Sequence, residues 1–165
     1  RARAPRIAVV REAAGEAAYA SGHYAEALSD LRAAKRMNGA TAYLPIMADC
    51  HRALGQPDQA VKLAKSPSVA GFPPAAKAEM TIVEAGARRD MGQVDAALRI
   101  LEQAPLNSKS REPWVVRLRY AYADALAEAG RTDDALAWFH RTQAIDADEI
   151  TDAAERAAEL ESNAS

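Results

Sequence analysis

The sequence predicts an all-α fold, a right-handed α-solenoid of about four helix pairs followed by a C-terminal capping helix. Three observations support this class: alanine dominates the composition, a short glycine-containing string recurs, and apolar residues around each glycine follow a helical period. Alanine accounts for 41 of the 81 apolar residues among 165 positions, and only nine residues are aromatic. Because alanine favours helices and fills little volume, the core must consist of closely approaching helices.

The recurring string is Gly-x-x-x-x-Ala-[Leu/Val], which occurs four times with its glycines 33, 37 and 38 residues apart. The copies run from Gly22 to Leu28, from Gly55 to Val61, from Gly92 to Leu98 and from Gly130 to Leu136. Copies of one pattern at nearly constant spacing indicate an internal repeat of supersecondary units.

Each glycine lies between two stretches with helical periodicity. After Gly22 the apolar residues fall at positions 24, 27, 28, 31 and 34, the spacing of a helix with one apolar face. The stretch 114–129, before Gly130, places its apolar residues on one face in the same way. We therefore expect each repeat to be a helix, a glycine turn with positive φ, and a second helix.

The repeats are expected at about residues 5–39, 40–71, 72–109 and 110–147, with the capping helix at 148–162, all within one domain spanning 1–165. Thr41 and Ser110 are the predicted N-caps of the second and fourth repeats, because a side-chain oxygen there satisfies free backbone N–H groups. Asp146 or Asp148 is the predicted cap of the last helix, whose apolar stripe begins at Ile150 and is expected to pack on the preceding pair.

The charge of the chain is nearly balanced, with 21 basic and 23 acidic residues. The ends differ: residues 1–11 contain four arginines and no acid, whereas residues 146–161 contain seven acids and one base. Solvated terminal helices explain both runs, and an alternative is that the basic start continues into a basic arm upstream of Arg1. Because the sequence does not begin with Met, we expect the chain to be a fragment of a longer protein. The single cysteine, Cys50, fits a cytoplasmic location. No stretch is apolar enough for a membrane span. The Ala- and Arg-rich composition is typical of GC-rich bacteria.

The repeat resembles the tetratricopeptide repeat (TPR), a pair of helices with small residues at positions 8, 20 and 27 and large apolar residues at positions 4, 7, 11, 17 and 24. Position 20 is occupied by Ala27, Ala60, Ala97 and Ala135, and position 8 by Gly15, Ala48, Ala85 and Ala123. Small residues are needed there because the helix backbones cross closely. The repeats are degenerate: Glu84 and Arg88 stand at positions 7 and 11 of the third repeat, which should be buried, and they could pair with each other.

The resemblance implies that a partner peptide or helix binds on a concave face lined by the first helices. Carried over to this sequence, the face includes Glu12, Glu16, Tyr19, Asp49, Arg52, Ile82, Arg89, Arg117, Tyr120 and Asp124. Its arginines are suited to bind a carboxylate or phosphate, but the pairs Asp49–Arg52 and Arg117–Asp124 could instead satisfy each other. TPR domains that bind acidic chaperone tails carry Lys and Asn where this chain has Glu12 and Glu16, so that function is not predicted.

No catalytic or metal-binding pattern is found, and no cofactor is predicted. The three histidines, His23, His51 and His140, lie in different repeats without the spacing of metal ligands. His51 falls at a packed position, which favours a core histidine, and Trp114 and Trp138 fall on or near packed stripes.

These observations favour a non-enzymatic scaffold that binds another protein. A first alternative is a partner-recruiting module of a nucleic-acid-associated protein whose basic N-terminal arm is missing, since this segment itself is not expected to bind nucleic acid. A second alternative is a self-associating structural module, that is, a homo-oligomer. No membrane association is predicted.

Overall fold

The computed structural model describes residues 3–164, with side chains from residue 6 onward; Arg1 and the side chain of Arg3, two of the arginines of the basic start, lie outside this description. All regular structure in the described residues is helical, which confirms the all-α prediction. The helices are α1 (Arg3–Ala20), α2 (Tyr24–Asn38), α3 (Leu44–Ala53), α4 (Pro57–Ala64), α5 (Pro74–Asp90), α6 (Val94–Glu102), α7 (Pro113–Glu128), α8 (Thr132–Ile145) and α9 (Ala153–Ala164).

A 3-10 turn at Pro67–Gly71 separates α4 from α5. The chain forms two compact units, unit one comprising Arg1–Val83 and unit two comprising Glu84–Ser165. Within unit one, α1 packs on α2, α2 on α3, and α3 on α4. Within unit two, α6 packs on α7, α7 on α8, and α8 on α9. The order of contacts within each unit is that of successive helix pairs.

The glycine of each repeat ends one helix and allows the next to begin, as predicted. The four glycines have positive φ values: Gly22 at 76°, Gly55 at 75°, Gly92 at 75° and Gly130 at 79°. In every copy the residue after the glycine donates its backbone N–H to the carbonyl five residues earlier, which satisfies a free carbonyl at the helix end. The second helix then begins two residues after the glycine.

Small residues lie at the helix crossings, where the repeat pattern places them. Ala27, Ala60, Ala97 and Ala135 are all 0% exposed. At Gly15 a Cβ atom would lie 2.7 Å from Cγ of the buried Leu31, so any larger residue on α1 would force this side chain of α2 to move. The scarcity of bulky residues therefore corresponds to closely spaced backbones rather than to a loosely packed core.

His51 is buried, as predicted for a core histidine. Its Nδ1 lies 2.8 Å from Oε1 of Gln56, and its Nε2 lies 3.3 Å from Nη2 of Arg32. The arginine nitrogen only donates hydrogen bonds, so Nε2 accepts and Nδ1 donates. In the next repeat Arg88 makes the equivalent contact, donating from Nη1 to Gln93 at 2.8 Å. Glu84 and Arg88 stand at positions where the repeat pattern expects buried residues, but both are only half-buried.

The predicted caps are wrong at three helix starts, because each helix begins later than its nearest capping residue. The residue directly before α3 is Tyr43 and not the expected cap Thr41. Thr41 instead accepts the backbone N–H of Leu44 through its own backbone carbonyl. Glu112 precedes α7, and Ser110 instead uses its hydroxyl to accept the N–H of Glu112.

The capping helix α9 begins at Ala153, five residues later than the expected start, because Asp146 organises a turn in front of it. The buried carboxylate of Asp146 accepts the backbone N–H groups of Ile150 and Thr151 and the hydroxyl of Thr151. Burial would raise the pKa of Asp146, but these hydrogen bonds outweigh burial and lower it. Ile150 lies in this turn and is 50% exposed, so it is not part of a packed stripe; Ala153 and Ala157 form the buried side of α9.

Candidate partner-binding surface

The ten predicted binding residues lie on first helices of the repeats and are divided between the two units. The unit-one face consists of Glu12, Glu16, Tyr19, Asp49, Arg52 and Ile82, on α1, α3 and α5. The unit-two face consists of Arg89, Arg117, Tyr120 and Asp124, on α5 and α7. Most of these side chains are half-buried, and Glu16 and Arg117 are exposed.

Tyr19 and Asp49 connect α1 with α3 on the unit-one face. The Tyr19 hydroxyl donates to Oδ2 of Asp49 at 2.6 Å, and Arg52 lies on the other side, with Nη1 3.6 Å from Oδ1. Burial raises the pKa of Tyr19, and the hydrogen bond to Asp49 raises it further. The predicted pairing of Asp49 with Arg52 is therefore present, and Tyr19 shares the same carboxylate.

Glu12 and Glu16 are held by neutral donors rather than by cations. Nδ2 of Asn38 donates to Oε1 of Glu12 at 2.8 Å, and the Tyr43 hydroxyl donates to Oε1 of Glu16 at 3.0 Å. Burial raises the pKa of Tyr43 to about 12, and Glu16 contributes to that shift. Neutral donors orient a carboxylate without cancelling its charge, so both glutamates keep their negative charge on the unit-one face.

Asp124 is at the centre of an ion-pair network on the unit-two face. Its Oδ2 accepts from Nη1 of Arg89 at 2.9 Å, and its Oδ1 accepts from Nη2 of Arg156 at 3.0 Å. Nε of Arg89 also donates to Glu128 at 2.7 Å. Burial would raise the pKa of Asp124, but the hydrogen bonds from Arg89 and Arg156 outweigh it and lower the pKa.

Tyr120 is bound to the N-terminal end of α9. Its hydroxyl donates to Oδ1 of Asp152 and accepts from Nη1 of Arg156 at 3.1 Å. Its ring meets the ring of Phe139 edge to face, with centroids 5.6 Å apart. Tyr120 thus packs within unit two and is a less accessible anchor than its repeat position implies.

Two residues of this network, Asp152 and Arg156, are missing from the predicted face, whereas Glu128 falls at a concave position of the fourth repeat. A signal for them is present in the sequence, because opposite charges recur about one repeat apart. Arg89 and Asp124 are separated by 35 residues, and Asp124 and Arg156 by 32. In a helical repeat, residues one period apart on successive first helices are lateral neighbours, so such charge pairs predict lateral ion pairs.

Acidification is expected to weaken the unit-two network by protonating Asp124. Because the pKa of Asp124 is lowered on folding, its contribution to the free energy of unfolding is complete above the unfolded pKa of about 3.9. It is lost as the pH falls through the lower folded pKa. Urea denaturation of the parent and of Asp124→Asn, measured from neutral to acidic pH, should show a stability difference that is largest at neutral pH and disappears in acid.

Asp133→Asn is the matched control for that experiment, because Asp133 is exposed on α8 and makes no ion pair among the described side chains. Its effect on stability should be small at every pH. A difference between the parent and Asp124→Asn that does not change with pH would contradict the assignment.

Other kinds of site have less support. Within residues 3–164, no three His, Cys, Asp or Glu side chains are arranged to hold a metal ion. No helix of the described chain has both the length and the hydrophobicity needed to cross a bilayer.

Trp138 is half-buried, with Arg141 stacked 3.9 Å from its ring centroid and the ring of Tyr122 edge-on at 5.1 Å. It is therefore engaged in contacts of its own unit.

Comparison with protein families agrees with this repeat structure. No curated protein matches the chain at a significant level. Residues 88–160 match the family model of the tetratricopeptide repeat. The matched segment includes the glycine turns at Gly92 and Gly130 and the ion-pair network around Asp124. Over residues 88–160 the chain is therefore similar to tetratricopeptide-repeat proteins.

Proposed function

We propose that this chain is a non-enzymatic scaffold that binds an extended peptide or a helix of a partner protein on the first helices of its repeats. Tetratricopeptide repeats generally mediate protein–protein interaction. The observation that carries the proposal is on the unit-one face, where Glu12 and Glu16 are oriented by Asn38 and Tyr43 and keep their charge. Oriented but uncompensated charges are suited to recognise a complementary chain.

The charge of the unit-one face favours a partner segment with basic side chains. The face carries Glu12, Glu16 and Asp49 against Arg52, and Asp49 already shares its carboxylate with Arg52 and Tyr19. On the unit-two face the corresponding charges largely neutralise one another through Arg89, Asp124 and Arg156. Specific attraction of a partner is therefore expected mainly at Glu12 and Glu16.

The test is to select ligands from a random peptide display library on the immobilised chain and to map one bound peptide by amide chemical-shift changes. We expect selected peptides to be enriched in Lys and Arg, and the shifted amides to cluster on α1 and α3. Glu12→Gln combined with Glu16→Gln should weaken binding by about tenfold or more, since loss of about 1.4 kcal/mol of attraction corresponds to a factor of ten.

Asp95→Asn is the matched control, because Asp95 is exposed on α6, a second helix of a repeat. It removes one negative charge and should leave the peptide affinity unchanged. Shifted amides confined to second helices, or equal effects of Asp95→Asn and the glutamate variants, would contradict the proposed surface. Substitutions at Arg89 or Tyr120 are poorer probes, because they also break contacts that hold unit two together.

We also infer that the scaffold works in a reducing compartment, the cytoplasm. Cys50 is a free thiol and is fully buried. Burial raises the pKa of Cys50 to about 11, and the nearby Asp49 contributes. A buried, protonated thiol of this kind has a structural rather than a redox role.

A further inference from the structure

The outer side of α1 carries an apolar stripe that no described residue covers. The stripe, called here the α1 outer stripe, consists of Ile7, Val10, Ala14 and Ala17, whose i, i+3, i+7, i+10 spacing places them on one face of the helix. All four are exposed, Ile7 by 47% and Val10 by 65%. Ala8 and Gly15 form the buried side of the same helix.

The residues next to the stripe give it a positive charge. Arg6 is exposed and has no ion-pair partner among the described side chains. Arg11 is also exposed, although it pairs with Asp30 of α2 at 2.8 Å. The acids of α1, Glu12 and Glu16, are bound to Asn38 and Tyr43 on the unit-one face. The α1 outer stripe is therefore apolar and flanked by basic side chains.

The outer side of α9 has the opposite charge. Ala154, Glu155, Ala158 and Glu159 are all exposed and form what is called here the α9 outer face, whereas Ala153 and Ala157 are buried. The only base of α9, Arg156, is directed at Asp124 and Tyr120 and does not offset these acids. The two alanines leave room for another helix to approach closely.

We propose that the chain self-associates head to tail, with the α1 outer stripe of one copy docked on the α9 outer face of a second copy. Complementary charge favours this pairing: Arg6 would meet Glu155 or Glu159, and Ile7 and Val10 would lie against Ala154 and Ala158. Pairing two α1 stripes would bring arginines together, and pairing two α9 faces would bring glutamates together.

This contact joins two different surfaces, so it is heterologous: one copy of a singly bonded dimer still has its α1 outer stripe free, and the other still has its α9 outer face free. One helix against another buries a small area, in the class of weak and transient interfaces. The attraction between exposed charges is screened by salt. Assembly should therefore be concentration-dependent and sensitive to ionic strength.

Sedimentation equilibrium of the parent chain at low salt tests the association directly. We expect the mass-average size to rise above that of one chain as the concentration increases from about 10 µM to about 1 mM, the range of weak dissociation constants. In about 0.5 M NaCl, where the Debye length is only a few ångströms, it should return towards one chain. A monomer at every concentration, or an assembly indifferent to salt, would overturn the proposal.

Two variants that each block one surface test the head-to-tail geometry. Val10→Glu disables the α1 outer stripe and leaves the α9 outer face intact, while Glu159→Arg does the reverse. Each variant alone should be monomeric, because neither carries both intact surfaces. Mixed together, they should form one-to-one dimers that do not grow further, because the intact stripe of one variant meets the intact face of the other.

Val9→Glu is the matched control, since Val9 is the next residue, is similarly exposed at 60%, and lies on a different side of α1. It should assemble like the parent, and circular dichroism should show unchanged helix content in all three variants. Assembly of Glu159→Arg on its own, or failure of the mixed variants to dimerise, would contradict the head-to-tail contact.

Discussion

Replacement of Phe139 by alanine is expected to lower the free energy of unfolding by about 3–5 kcal/mol, the usual cost of emptying a fully buried aromatic site. Phe139 is 0% exposed and is the largest fully buried side chain in the described residues. Its ring contacts the ring of Tyr120, and the guanidinium carbon of Arg156 lies 4.7 Å from its centroid. The substitution therefore opens a cavity beneath the residues that connect α7 with α9.

Phe72 provides a matched control, because it is the only other phenylalanine of the chain and is half-buried after the 3-10 turn. Phe72→Ala should lower the free energy of unfolding by less than Phe139→Ala does. The half-buried ring of Phe72 removes less apolar area from water on folding, and its loss creates little cavity. Urea denaturation should show a lower midpoint for Phe139→Ala, with α9 losing its amide-exchange protection first. Equal destabilisation by the two substitutions would mean that Phe139 is not the central residue of the unit-two core.

The features that sequence reasoning predicted well depend on a few residues close together in the chain. The repeat places a buried alanine five residues after a glycine, which predicts a left-handed turn at the glycine and a close helix crossing at the alanine. Gly92 has the positive φ of such a turn, and Ala97 is fully buried. Helical periodicity is likewise a local property of the backbone. The all-α class and the repeat could therefore be predicted without knowledge of tertiary contacts.

Helix starts and polar partners were predicted less well, because they depend on competition between several nearby groups. Ser110 has the chemistry of an N-cap, yet its hydroxyl accepts the N–H of Glu112 in the preceding turn, and α7 begins at Pro113. Asp124 has arginines available on its own helix and on two others. Its hydrogen bonds to Arg89 and Arg156 form because these residues lie on helices next to α7. The spacing of residues within one helix does not show which helices are neighbours.

Arg119 shows the same limit most clearly. The alignment that places Ala123 at position 8 places Arg119 at position 4, where the repeat pattern calls for a large apolar residue. Arg119 is nevertheless only 8% exposed. Its nitrogens donate to the backbone carbonyls of Leu106, Ser108 and Arg141 at 2.8, 3.3 and 3.2 Å. An apolar position in the pattern is thus occupied by a cation that holds the loop between α6 and α7.

Arg119→Ala is expected to destabilise the chain by about 2–4 kcal/mol, because three carbonyls lose a charged donor and the buried stem of the side chain is removed. Burying the cation on folding costs hydration free energy, and the substitution removes that cost as well. The loss of stability is therefore smaller than the sum of the three hydrogen bonds. Burial lowers the pKa of Arg119, and the positive charge of Arg141 lowers it further, in agreement with a site that contains no carboxylate.

Arg119→Met separates packing from hydrogen bonding, because methionine fills similar space and has no donor. If the hydrogen bonds hold the loop, Arg119→Met should remain clearly less stable than the parent in urea, and trypsin should cut more rapidly at the exposed Lys109 and Arg111. A methionine variant as stable and as protease-resistant as the parent would show that position 4 requires only bulk. In that case the loop between α6 and α7 would be held by apolar packing, as in a regular repeat, and the arginine would add nothing to stability.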